Sequence, residues 1–171
     1  ADHVITASNA ELNHIETSFN VPKHSCIYLG SEHILASTDI DAPKFDIICI
    51  ARIEPLKNQL RLIKACAQAN LTLLIVGNAG TQHLDYYQKC IIEAKGIATF
   101  MDYQKPEDLS SIYALAKVHA LCSLYETTGL VSIEAMKCGL NILVSRSAIQ
   151  EELFEDKAAY CEPTNIDSIA E

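Results

Sequence analysis

The chain has 171 residues, of which 49% are hydrophobic and 20% charged, and its formal net charge is -9. That size and apolar content give one well-cored globular domain and exclude a disordered chain. The acidic balance excludes a broad nucleic-acid-binding face, so no nucleic-acid partner is expected and any small anion must be held by a few local cations.

In chain order, His3 to Thr6 reads as a strand and Ser8 to Phe19 as a helix, followed by a loop rich in Pro, His and Ser. Residues 1–36 are therefore read as the tail of a neighbouring domain, and the polar, turn-rich stretch Ser37 to Pro43 as a linker. From Phe45 onward, short β-branched runs alternate with longer amphipathic stretches, which is the pattern of βαβ units. The predicted strands are Asp46 to Ala51, Thr72 to Val76, Ala98 to Met101, Val118 to Cys122 and Asn141 to Val144. Several are near-continuous apolar runs, as strands buried on both faces require. Between them, Leu56, Leu60, Ile63 and Ala67 follow helical spacing, Pro106 opens a helix at its first turn and Gly139 closes a later one. Residues 44–171 thus read as an α/β domain with a doubly wound, parallel, Rossmann-like sheet. At Ile169 to Glu171 the chain reads as the start of another helix, so both ends look cut from a longer protein.

Seven cysteines stand at 26, 49, 66, 90, 122, 138 and 161 with no C-x-x-C pair, which suggests neither a disulfide framework nor a zinc site and points to the reduced cytoplasm. No apolar run approaches about 18 residues and no export signal opens the sequence, so no spanning helix is expected. Peripheral attachment at the inner face of a membrane, through another domain, stays open.

In an open parallel sheet, ligands bind beyond the carboxyl ends of the strands where strand order reverses. After the first such strand, Arg52 and Lys57 lie five apart around Pro55, before a helix. A planar fork and a point charge beside a helix start suit a diphosphate, and the spacing alone suits a solvated turn equally well. After the second, Gly77 to Gly80 is a glycine turn that lets backbone approach a ligand or simply turns the chain. The stretch from Ser123 to Met136 is the most informative: Glu126 lies in a loop, and Glu134 about 1.5 turns into a helix that starts near Gly129. The amides of Gly129, Leu130 and Val131 would then open toward an anion, while the two carboxylates face the mouth of the sheet. On spacing alone Glu126 is also readable as a complement to the helix dipole and Glu134 as a surface charge. Arg146 to Leu153 follows the fifth strand and could add one more carboxylate, Glu151 or Glu152, to the same rim.

Taken together, these residues resemble glycosyltransferase family four, a group of retaining enzymes of the GT-B fold. The resemblance is ordered and runs over nearly the whole chain. Ala1 to Ser8 is similar to the family's "aD-x-vi-x-x-S", Ile27 to Gly30 to "v-x-N-G", and Ala51 to Lys57 to "G-R-L-x-x-x-K". Leu74 to Gly77 resembles "l-x-i-v-G", Asp108 to Ala116 "eL-x-x-x-Y-x-x-A", Glu126 to Glu134 the E-x7-E element before "E-A-M-x-x-G", and Tyr160 to Pro163 "y-v-d-P".

The resemblance implies the C-terminal, donor-binding half of a hexosyltransferase that uses a nucleotide-diphosphate sugar, with a glycan or lipid acceptor held by the other domain. It implies Arg52 and Lys57 on the diphosphate, Glu134 on the ribose, Glu126 on a hydroxyl of the sugar, and further phosphate contacts from Gly129, Leu130 and Val131. Backbone from Met101 to Tyr103 would hold the base, with Gly77 and Thr128 also among the donor-binding residues. No cofactor and no metal are expected, the cations doing a metal's work. A catalytically inactive GT-B-like module that binds nucleotide or protein is the alternative expectation. Thr127 and Thr128 replace the family's Gly-Phe, Cys122 its Pro, and Leu140 and Asn141 its Thr-Pro or Leu-Pro, which bears on the identity of the sugar rather than on the class.

Overall fold

A computed structural model describes residues 2–31 and 42–171. Most of the predicted linker, residues 37–41, lies outside the described residues.

The main sheet has six strands, β3 (Phe45–Ile50), β4 (Leu73–Val76), β5 (Ala98–Met101), β6 (Ala116–Leu121), β7 (Asn141–Ser145) and β8 (Ala159–Cys161), paired in parallel in the order β5-β4-β3-β6-β7-β8. The chain winds outward from β3 to β5, crosses back to lay β6 beside β3, and winds outward again to β8. Strand order therefore reverses between β3 and β6. Successive side chains of a strand leave on opposite faces. Ile47 and Cys49 accordingly enter one core and Ile48 and Ile50 the other, and Leu73 and Ile75 separate from Leu74 and Val76 in the same way. This is why the strands read as unbroken apolar runs.

One face is covered by α2 (Gln59–Ala69), α3 (Leu84–Glu93) and α7 (Ile166–Ala170), which bring Leu62, Ile63, Cys66, Cys90 and Ile169 into the core. The other is covered by α4 (Leu109–Tyr113), α5 (Leu130–Lys137) and α6 (Ala148–Phe154), through Tyr113, Ala135 and Phe154. The N-terminal residues form a separate unit, in which α1 (Asn9–Glu16) connects the parallel pair β1 (Val4–Thr6) and β2 (His24–Cys26).

The structure differs from the sequence expectation at several elements. Leu56 does not belong to α2: it sits in a 3-10 turn, Pro55–Lys57, and is exposed, as is Ala67. Asn58, at φ 62°, breaks the helical register, so the buried stripe becomes Gln59, Leu62, Ile63 and Cys66. The helix expected over 8–19 ends at Glu16, with Ser8 as its N-cap rather than its first residue. Strand β2 was expected as loop: its His and Ser carry no strand periodicity, and pairing with β1 makes the strand. Strand β8, outside the five predicted, is three residues on the sheet's edge.

His119 stands in central strand β6, paired with Ile48 of β3 and fully buried, its ring packed edge-on against Tyr113 at 5.8 Å between centroids. Among the described residues neither ring nitrogen has a hydrogen-bond partner. Burial pushes its pKa down to about 3. The folded ring therefore stays neutral while the unfolded one takes a proton below about 6.5. Its contribution to stability is intact above that value and is lost as pH falls from there toward 3. Between pH 7 and pH 5 the wild-type chain should lose about 2 kcal/mol relative to His119→Leu, measured by urea unfolding at each pH. An unchanged gap would show that the ring is not held neutral.

Candidate active site at the sheet switch point

The loops after β3 and β6 leave in opposite directions, and the crevice between them holds one cavity, which a second adjoins beyond the ends of β3, β4 and β5. The first, about 310 Å³, is lined by Lys57, Glu126, Thr127, Thr128, Gly129, Leu130 and Val131, with Leu29 of the N-terminal unit at its edge. The second, about 520 Å³, is lined by Arg52, Gly77, Asn78, Tyr103, Gln104, Pro106 and Leu109 among others. Ile50, Ala51 and Val131 line both.

Lys57 reaches the first cavity because its turn is fastened from behind. Asn58 is buried and its amide nitrogen donates to the carbonyls of Cys122 at 2.9 Å and Pro163 at 2.8 Å. The amide of Leu124 donates to the Leu56 carbonyl at 2.8 Å, closing the turn onto the loop after β6. Lys57 Nζ then lies 2.6 Å from Glu126 Oε2, which also accepts from Ser123 Oγ at 3.2 Å. The lysine and glutamate side chains are only 16% and 12% exposed. A pair so covered gains little net stability, since desolvation offsets the attraction, but it fixes two charges in one place.

Gly129 is the N-cap of helix α5, and its φ of 65° is in the left-handed region that glycine adopts without strain. Gln150, buried on α6, holds the preceding loop by donating from Nε2 to the Thr127 carbonyl at 3.0 Å. Among the described residues, the amides of Gly129, Leu130 and Val131 donate to no protein acceptor. They therefore present unpaired donors and the positive end of the helix dipole at the cavity wall.

Gly77 serves a protein contact. At φ 142° its Cα lies so close to β3 that a Cβ would stand 2.1 Å from the Ala51 carbonyl oxygen. No other residue lets the ends of β3 and β4 converge under the second cavity. Arg52 is largely exposed and pairs with Glu54 at 3.1 Å. The Tyr103 amide donates to Asn78 Oδ1 at 2.9 Å, and the Met101 carbonyl accepts from the Gly77 amide at 2.9 Å.

The sequence-predicted residues thus fall into three groups. Lys57, Glu126, Thr128, Gly129, Leu130 and Val131 meet in the first cavity, and Arg52, Gly77 and Tyr103 meet in the second. Glu134 and Met101 line neither cavity among the described residues. Glu134 is half-buried one turn beyond Val131, accepting from Ser31 Oγ at 3.2 Å and lying 3.4 Å from the Tyr113 hydroxyl. That hydroxyl donates to the Val131 carbonyl at 2.8 Å, and burial, helped by the Glu134 charge, pushes its pKa well up. Neither Glu151 nor Glu152 joins the rim: Glu151 pairs with Arg146 and Glu152 binds the N-terminal unit. The supporting roles of Asn58 and Gln150 give no local signal, because their partners are backbone carbonyls distant in sequence, whereas Ser123 supports Glu126 from three residues away.

Among the described residues, no helix is long and apolar enough to cross a membrane, and no group of three or more His, Cys, Asp or Glu is placed to hold a metal ion.

Residues 31–171 match the family model of the glycosyl transferases group 1. The chain is 28% identical over 130 residues to the O-antigen chain mannosyltransferase B of Escherichia coli, a match over 71% of this chain and 34% of that protein. It is 30% identical over 122 residues to a D-inositol 3-phosphate glycosyltransferase of Rhodococcus erythropolis, over 64% of this chain and 28% of that one. The chain thus spans about a third of the length of these curated relatives. In fold, 99% of it matches 52% of HepE from Anabaena, solved in complex with UDP and glucose, with a TM-score of 0.87 at 23% identity. The chain belongs to the group 1 glycosyl transferases, and its Rossmann-like parallel sheet is that of the C-terminal domain of their GT-B fold.

Proposed function

We propose that this chain is the donor-binding half of a retaining, family-four-type hexosyltransferase, which moves a sugar from a nucleotide-diphosphate donor to a glycan or lipid acceptor held by a further domain. The observation that carries this reading is the convergence of Lys57, Glu126 and the start of α5 in one cavity at the switch point, with Arg52 in the adjoining one. The names of the relatives, two glycosyltransferases and a protein bound to UDP and glucose, support a nucleotide-sugar partner.

In this reading the diphosphate lies along the shared wall of Ala51 and Val131, between Arg52 on one side and Lys57 with the α5 amides on the other. The sugar extends into the first cavity, where Glu126 accepts from one of its hydroxyls. The nucleoside occupies the larger cavity, its base against Tyr103, Pro106 and Leu109 and the backbone near Met101, its ribose toward Glu134. As the anomeric bond breaks, negative charge grows on the diphosphate, and donors already in place lower the barrier without reorganising. Those cations supply the charge that a metal supplies in other transferases, so the reaction is proposed to be metal-independent. We place the whole protein in the cytoplasm, at the inner face of the membrane when its acceptor is a lipid.

Three outcomes test these roles. Lys57→Ala should weaken UDP, GDP or ADP binding about 10- to 100-fold by calorimetry, the worth of one charge-assisted hydrogen bond. Unchanged affinity would remove Lys57 from the phosphate site. Glu134→Ala should weaken the same nucleotide about tenfold, and no change there would refute the ribose role. Transfer by the intact protein should survive treatment with EDTA; a loss that divalent cations restore would overturn metal independence.

A further inference from the structure

Helix α1 begins with two amides that its own sequence leaves unpaired. Ser8 Oγ accepts from the Glu11 amide at 3.0 Å, and the Glu11 carboxylate reaches back past the N-cap to the Ala7 amide at 2.7 Å. The amides of Asn9 and Ala10 are instead taken by Glu152, some 140 residues away on α6, at 2.8 and 2.6 Å. Asn9 Nδ2 at 3.0 Å and the Tyr28 hydroxyl at 2.6 Å donate to the same carboxylate. Four donors from the N-terminal unit therefore converge on one anion at a helix N-terminus, where charge-assisted bonds and the dipole both favour it. The bond to Glu152 pushes the Tyr28 phenol up to about 12 and holds the Glu152 carboxyl below its usual range.

The same helix grips the donor cavity. Gln150, two residues before Glu152, holds the Thr127 carbonyl, and Leu29, next to Tyr28, lines the first cavity together with Lys57 and Glu126. We infer that Glu152 is a positioning residue: through α1 and Tyr28 it seats the N-terminal unit against the donor cavity, and so sets the rate of transfer without touching the donor. The inference rests on the proposed function above. None of the groups assigned to the diphosphate bonds to Glu152, Tyr28 or α1, so losing the Glu152 contacts spares donor affinity and costs turnover.

The test uses the intact protein with Glu152→Ala and Tyr28→Phe. In Glu152→Ala, peptides covering α1 should exchange their amide hydrogens about tenfold faster or more while those of the main sheet exchange as before, which also shows that the variant folds. Nucleotide affinity and donor KM should stay within about twofold, and kcat should fall about tenfold or more, since a misplacement of about 1 Å costs up to about 100-fold. Tyr28→Phe should show a smaller loss in the same direction, and the double variant should be no slower than Glu152→Ala alone. Unchanged exchange in α1 would overturn the inference, as would accelerated exchange with unchanged kcat. Should the wild-type protein transfer from no sugar nucleotide, the proposed reaction fails instead, and the exchange measurement decides by itself whether Glu152 holds the unit.

Discussion

The turn that carries Lys57 is fastened to the rest of the domain by one buried side chain, Asn58. The carbonyls of Cys122 and Pro163 lie beyond the ends of β6 and β8, and both N–H groups of the Asn58 amide go to them. Its own carbonyl oxygen accepts from Arg61 at 3.0 Å, so the amide is satisfied on every side. Leaving a buried carbonyl unpaired costs about 1–3 kcal/mol, so each of these bonds resists a shift of the turn. The left-handed backbone at Asn58 follows from the same constraint, since asparagine tolerates that region better than other side chains. With the turn fixed there, Lys57 has little choice but to face Glu126.

That fixed pair gives the site its electrostatic character. Two charges held at 2.6 Å with little water around them interact strongly, and in the proposed function a diphosphate offers Lys57 a second anion while Glu126 accepts from a hydroxyl. The unpaired amides at the start of α5 add to the same field. The crevice itself is a consequence of topology: β3 and β6 are neighbours whose connections diverge, and Gly77 lets β4 close in beneath. Fold and chemistry meet at Ala51 and Val131, the wall common to both cavities.

How far the sequence discloses this depends on the distance over which each signal acts. Strands β3 and β4 are legible because burial on both faces writes a nearly unbroken apolar run, whereas β2 and β8 are short segments whose pairing, not their composition, makes them strands. The stripe from Leu56 to Ala67 misleads because one left-handed residue, Asn58, shifts the register without altering the spacing of apolar side chains. Lys57 and Glu126 are each legible as candidates, but their contact across 69 residues is a property of strand order. Glu134 follows Val131 by one turn, and its contacts with Ser31 and the Tyr113 hydroxyl are not legible in the spacing from Glu126. That Glu152 turns to the backbone amides of α1 instead of the rim is likewise something no side-chain pattern records.

The most direct measurement of the central claim is a crystal structure of the intact protein with a bound nucleoside diphosphate. The account predicts its phosphates about 3 Å from Lys57 Nζ and from the amides of Gly129, Leu130 or Val131, with Arg52 on the nucleoside side. A diphosphate bound away from the junction of β3 and β6, with Lys57 engaged only by Glu126, would contradict it.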